Sequence, residues 1–421
     1  MTSLGWVDFS SEHRSRVQTV IDLLHEKGVV DELGIGIIRN SFADRMFPGI
    51  STIQTRAKYF TLTACLIKDY ELNHSRRGSG KSLEEYLERK EKRCRIQLVE
   101  RYGDSWQNLG IIGGSFGLDR YRDVVRKPSS IYWNGLRTFG MISPNVSLAE
   151  FSTLLSKPSY ALRTLVEETE RDRGDDLDAD DRSLIRVVAP EVDGSFWDQM
   201  DIVLTDEEAR FLRQQITATQ ADSLIGQILL DEKALNQVLK LSRNARFETF
   251  AELPFIQNLN NPELVRTVEH ARDFWRILYG AHIRYNCLLQ EHFGEQELYD
   301  KFEKLWEEWC EDISDFPSHW DTSFLWERVA SHGSRLPSYT RNFVEMWIEE
   351  TRNGARNTDQ CNELVRIQEQ NNKRGRARLR PKNQGEQVGE WLGLSTLEYR
   401  LPQVLQIVRD IYDGEGEAVD A

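Results

Sequence analysis

The chain is poor in cysteine: Cys65, Cys94, Cys287, Cys310 and Cys361 are the only five among 421 residues, and no two form a C-x-x-C pair. That scatter excludes a disulfide framework and a zinc ribbon and fits a reducing cytoplasm. Long apolar runs are also missing. No uncharged stretch approaches the roughly 20 residues of a membrane span, and the first residues, Met1 to Asp8, show no basic region followed by an apolar one. Neither export nor membrane insertion is expected. Positive charge is in deficit, with 54 Lys and Arg against 68 Asp and Glu and a net charge of -14. Non-specific attraction to nucleic acid or to an anionic membrane is therefore disfavoured, and any nucleic-acid contact must come from a local basic patch. Hydrophobic residues make up 39% of the chain and aromatic residues 10%. This globular composition excludes wholesale disorder and, at this length, allows two or three domains with their own cores.

The chain reads as organised around Asp31 to Lys68. Pro48-Gly49 is a turn, and Ser51 with Gln54 has the S-x-x-Q spacing of a capping box, which predicts a helix starting at Ser51. Ile53, Ala57, Phe60, Ala64 and Ile67 then recur on one face, while Thr55, Lys58 and Tyr59 project the other way. Asp31 can cap a preceding helix whose apolar positions are Ile35, Ile38, Phe42 and Met46. Two helices joined by a short Gly-containing turn have the shape of a DNA-reading helix-turn-helix, and equally that of an αα-hairpin in a core. On the first reading Thr55, Arg56 and Lys58 would face nucleic acid.

Several motifs imitate chemistry without completing it. Gly78-Ser79-Gly80-Lys81-Ser82 resembles the end of a phosphate-binding loop, but Ser75 stands where the first Gly is needed and Leu66 to Tyr70 continue a helix where a strand is required. Asp176, Asp178 and Asp180 open like a calcium loop, yet Asp181 replaces the required Gly and Val187 the bidentate Glu. Gly113 to Gly117 reads as a turn, and Tyr132-Trp133 as an aromatic anchor beside Pro128. Arg76 to Arg95 carries eight basic and four acidic residues and reads as a solvated helix face rather than a phosphate surface. No catalytic constellation, metal-ligand spacing or cofactor motif emerges.

The second half is helical. Ser10 or Ser11 begins an early helix through Val17, Val20, Ile21 and Leu24 that Gly28 stops; later, Thr205 with Glu208 forms a capping box. Asn261-Pro262 is an N-cap followed by proline at the first helical position. It opens the longest helix, with Leu264, Val268, Ala271, Trp275, Leu278, His282, Tyr285 and Leu289 on one stripe, so that His282 is expected as a hydrogen-bonded core residue. Phe302, Leu305, Trp306 and Trp309 make another amphipathic helix, and Phe343, Met346 and Trp347 a third. Glu167 to Arg182, with nine acidic and three basic residues, reads as a solvated linker. The expected architecture is mainly α: residues 1–166 as a domain with the helix-turn-helix-like hairpin, 167–182 as an acidic linker, and 183–421 as a helical bundle with few short strands. Lys373 to Lys382 has six basic residues and no acidic one. If this segment is extended, Arg374, Arg376, Arg378 and Arg380 line one side about 6.6 Å apart, a row of guanidinium forks suited to phosphates, with Gly375, Ala377 and Leu379 opposite. A basic loop is the alternative.

Leu4 to Ser10, Ser51 to Phe60, Ser130 to Leu136, Gly375 to Leu379 and Tyr399-Arg400 together resemble an uncharacterised prokaryotic family of unknown function. Members of that family are met beside helicases, phospholipase-D-like proteins and other genes of anti-phage defence islands. The resemblance implies a cytoplasmic, non-enzymatic subunit of a defence system that associates with DNA or with proteins of its operon, a helicase or nuclease among them. A divergent nuclease and a purely protein-binding helical scaffold are the alternatives. The resemblance carries over no catalytic residue.

Overall fold

The structure is a computed structural model that describes residues 31–75, 82–119, 122–156, 185–192, 194–197, 200–316, 320–380 and 390–416. The early helix after Ser10, the Gly78-Ser79-Gly80 connector, the Asp176 to Asp180 run and the acidic stretch 167–182 lie outside the described residues. The fold is mainly α, as expected. The only strands among the described residues are β1 (Ile142–Ser143) and β2 (Arg186–Val187), which pair antiparallel.

In chain order the longer helices begin with α1 (Gly36–Met46), α2 (Lys58–Tyr70), α3 (Leu83–Tyr102), α4 (Pro128–Thr138), α5 (Leu148–Leu155), α6 (Asp206–Thr219), α7 (Leu224–Leu230) and α8 (Glu232–Leu239). They continue with α9 (Pro262–Phe293), α10 (Gln296–Ser314), α11 (Thr322–His332), α12 (Ser338–Arg352), α13 (Thr358–Lys373) and α14 (Leu401–Gly416). These helices sort into two compact units, each assembled from separated stretches of chain. One contains residues 47–244 and 400–416, the other 31–46 and 245–399. The units are thus drawn differently from a division at 167–182.

The first unit is built around α2. Eleven of its thirteen residues are buried, which makes it a helix enclosed on all sides rather than one with a polar face to offer. Phe60 meets Tyr132 of α4 edge to face, with ring centroids 4.7 Å apart, and Gly135 permits that approach, since a Cβ there would come within 2.4 Å of the Phe60 ring. Tyr132 and Trp133 are core residues of α4. The Thr205/Glu208 capping box forms as predicted and starts α6, which packs on α2 and α14.

The helix-turn-helix expectation is corrected here. The helix predicted from Ser51 begins at Lys58, and residues 47–57 separate α1 from α2, which belong to different units. Half of the Ser51/Gln54 signature is present, since the Gln54 side chain accepts from Ser51 N (3.2 Å), but the Ser51 hydroxyl is buried without a partner and no helix follows. Tertiary acceptors take the backbone donors instead. Tyr132 Oη accepts from Thr55 N (2.8 Å) and Arg56 N (3.1 Å), and Asp410 accepts from Ala57 N (2.8 Å). Three successive N–H groups are satisfied without helical geometry, so the helix starts only after them.

The second unit is a bundle around α9, about 48 Å long at 1.5 Å per residue over its 32 residues. Asn261 caps it by accepting from Leu264 N (3.1 Å), and the whole predicted stripe from Leu264 to Leu289 is buried. Gly280 lets Trp309 of α10 lie against the helix; a Cβ there would sit 2.5 Å from the indole. Trp309 and Trp347 donate their indole N–H groups to Arg276 O and Ile277 O, each at 2.8 Å, so these large core rings leave no orphan donor. Asp31 caps the start of α1 as expected, accepting from Ile35 N (3.0 Å) and Gly36 N (2.8 Å). His282 departs from expectation. It is fully buried, but neither ring nitrogen has a hydrogen-bond partner among the described residues, and burial lowers its pKa to about 3.

Candidate nucleic-acid interface

The seven residues expected at a nucleic-acid surface fall into both units and into different environments. Thr55, Arg56 and Lys58, in the first unit, have their donors engaged inside it. Thr55 Oγ1 donates to Gly110 O (2.7 Å), and Arg56 forks onto Asp410 (2.9 and 3.0 Å) while Nη1 reaches Leu109 O (3.1 Å). Lys58 Nζ is 2.6 Å from Glu208 Oε2, and both side chains are under 4% exposed. Glu208 also accepts from Thr61 Oγ1 (2.8 Å) and Thr205 N (2.9 Å). A buried pair with that many hydrogen bonds holds the fold together; it offers no charge to solvent. Basic residues of α3 are likewise engaged: Lys92 pairs with Asp123 (2.7 Å) and Arg95 donates to Gly117 O (2.7 Å) and Asp119 O (2.6 Å).

The second unit presents the other four. Here the extended-strand reading is corrected, and a free loop does not describe the segment either. Helix α13 ends at Lys373, and Arg374–Arg376 forms a 3-10 turn that closes with Ala377 N on Arg374 O (3.2 Å). The backbone beyond it is clamped by a side chain. Glu369, fully buried, accepts from Arg378 N (2.5 Å) and Leu379 N (3.2 Å), and Tyr285 donates its hydroxyl to the same carboxylate (3.3 Å). Burial pushes the Glu369 carboxyl up, opposed by those two backbone donors. Asn372 reaches back to Asp31 O (2.8 Å) and Glu32 O (2.9 Å), and Lys373 pairs with Glu32 (3.1 Å). A carboxylate rather than a neighbouring strand takes the N–H groups, so no period-two ladder forms.

Ala377 is fully buried and Leu379 half-buried, while Arg374, Arg376 and Arg380 point to solvent and have no ion pair among the described residues. Arg378 is half-buried and engaged. Arg374 has φ +52° and ψ -117°, a conformation that suits glycine and costs a residue with a Cβ of order 1–3 kcal/mol. The strain places a guanidinium at the tip of the turn. The periodicity of α13 contains the signal for the clamp: Cys361, Leu364, Val365, Gln368 and Glu369 fall on one buried stripe, and a Glu on such a stripe needs a buried partner. Asp410 is announced in the same way by the Leu401, Val404, Leu405, Ile407, Val408 stripe of α14.

The chain belongs to the family of unknown function DUF6361, whose model matches residues 1–413. Comparison with curated proteins and with solved structures gave no match. No helix among the described residues is long and apolar enough to cross a membrane.

Proposed function

We propose that this protein is a non-enzymatic, DNA-associated subunit of a prokaryotic anti-phage defence complex, and that Arg374, Arg376 and Arg380 contact nucleic-acid phosphates. The observation that carries the reading is the clamped turn. Three exposed guanidinium groups with no ion pair among the described residues stand on a backbone fixed by Glu369, Asn372 and Lys373, in a chain of net charge -14. A pre-fixed turn loses little entropy on binding, and guanidinium forks match phosphate geometry. The place in a defence complex and the partnership with operon proteins rest on the family resemblance set out above.

Salt-dependent binding tests the DNA contact. Three neutralised phosphates predict a slope of log K against log salt of about -2.7 on duplex and about -2.1 on single strands. Replacing Arg376 and Arg380 by Ala should remove about two thirds of that slope. An absence of binding at low salt, or a slope that the double variant leaves unchanged, rules the turn out. Co-purification with the products of neighbouring genes tests the complex, and loss of phage protection on deletion of this gene tests the defence role.

A further inference from the structure

Helix α9 anchors the basic turn through Tyr285, and the very next residue, Asn286, anchors a second feature. Asn286 Oδ1 accepts from Leu392 N (2.8 Å) and its Nδ2 donates to Leu392 O (3.0 Å), an in-and-out pair that fixes residues 390–395 along the helix. Gly393, at φ +86°, turns the chain beside His282 in a backbone conformation that favours glycine. Trp391 is held in place: its Nε1 donates to Leu394 O (3.3 Å), its ring lies nearly parallel to Tyr279 (24°, centroids 6.1 Å apart), and it meets Phe302 edge to face (77°, 5.5 Å).

These rings are not closed into the core. Tyr279, Phe302, Leu305, Trp391 and the rim residues Lys301, Glu390 and Ser395 enclose an open cavity of about 190 Å³, and Trp391, Tyr279 and Leu305 are only half-buried. An apolar cavity of about 150 Å³ suffices for a benzene ring, so this one admits a flat heteroaromatic ring. At its mouth the Lys301–Glu390 ion pair and the Ser395 hydroxyl offer donors and acceptors to a polar ring edge. A nucleobase has both an apolar face for the rings and a polar edge for this rim.

We propose that this aromatic cavity seats an unpaired nucleobase, so that the preferred ligand of the protein is single-stranded DNA. The proposal deepens the nucleic-acid reading above and rests on it. The turn's clamp and the segment that carries Trp391 are tied to consecutive residues of one helix, Tyr285 and Asn286, and a single strand that reaches both would place phosphates on the arginines and a base in the cavity. A paired base inside a duplex cannot enter.

The test uses the full-length protein and three fluorescent 20-mers at low salt: oligo-dT, a strand of the same charge with abasic sites throughout, and a duplex. Oligo-dT should bind more tightly than the other two. Stacking of one base on an aromatic side chain predicts a five- to hundredfold weakening by Trp391→Ala for oligo-dT only, largely restored in Trp391→Phe, whereas Arg376→Ala with Arg380→Ala should weaken all three. Equal binding of oligo-dT and the abasic strand, a comparison that needs no variant, overturns the base site and leaves the phosphate reading standing. Absence of binding to any of the three overturns both.

Discussion

Glu91 offers a quantitative test of the first unit's interior. It lies on α3, 6% exposed, with Oε1 accepting from Ser129 N (2.6 Å) in the first turn of α4, where Pro128 occupies the first helical position. Oε2 is buried without a hydrogen-bond partner among the described residues, beside a space of about 20 Å³, enough for a single water. Burial pushes the carboxyl up to about 7, against the hydrogen bonds from Ser129 and the charge of Lys127, with Glu88 adding to the rise. The folded pKa is therefore above the unfolded one, and the associated stability is fully present below about pH 4.5 and is lost as pH rises to about 7. At 1.36 kcal/mol per pH unit the loss is about 3 kcal/mol. Glu91→Gln keeps an acceptor for Ser129 N and cannot ionise. It should match wild type within about 1 kcal/mol at pH 4.5 and exceed it by up to about 3 kcal/mol at pH 8, a gain of about 6–12 °C in the melting of a unit of this size. Glu91→Ala, which uncaps α4 but also removes the ionisable group, should lose about 1–2 kcal/mol at pH 4.5 and gain about 1–2 kcal/mol at pH 8. Calorimetric melts at pH 4.5, 6 and 8 decide. A Gln variant that is destabilised at pH 8, or whose difference from wild type does not change with pH, would show that the carboxylate is ionised and compensated, and would refute the reasoning.

Lys58→Met should cost about 3–5 kcal/mol by leaving Glu208 buried and unpaired; a variant that melts like wild type yet loses DNA binding would instead put Lys58 at the interface. His282 has its pKa lowered to about 3 by burial, so the associated stability is present above pH 6.5 and is lost as pH falls from there toward 3. His282→Leu should flatten that acid limb in urea titrations at pH 7, 5.5 and 4, and an unchanged limb would mean that the imidazole does not contribute to it. Arg374→Gly relieves the positive φ and should stabilise the second unit by about 1 kcal/mol while reducing the salt slope of DNA binding by about 0.7–0.9. A less stable glycine variant would show that the arginine side chain, not its backbone, holds the turn.

What the sequence determined by itself is whatever is settled within a few residues. The caps at Asp31, Thr205 and Asn261, the stripe from Leu264 to Leu289 and the mainly α class were all legible, because a capping oxygen and its N–H donor lie three to five positions apart and an apolar face repeats every turn. The Ser51/Gln54 signature was just as local and still did not start a helix. Its competitors were Tyr132 and Asp410, 76 to 353 residues away, which took the Thr55, Arg56 and Ala57 donors. Lys58 reads as an outward-facing base until Glu208, 150 positions on, is brought against it. The basic run at 374–380 shows the same division. Its charge was evident from composition, but whether it became strand, loop or clamped turn depended on the buried Glu369 carboxylate and on Tyr285, 84 residues earlier, which shares it. Local hydrogen bonds decide what a segment can form, and only the long-range acceptors that folding delivers decide which of its polar groups remain free to meet a ligand.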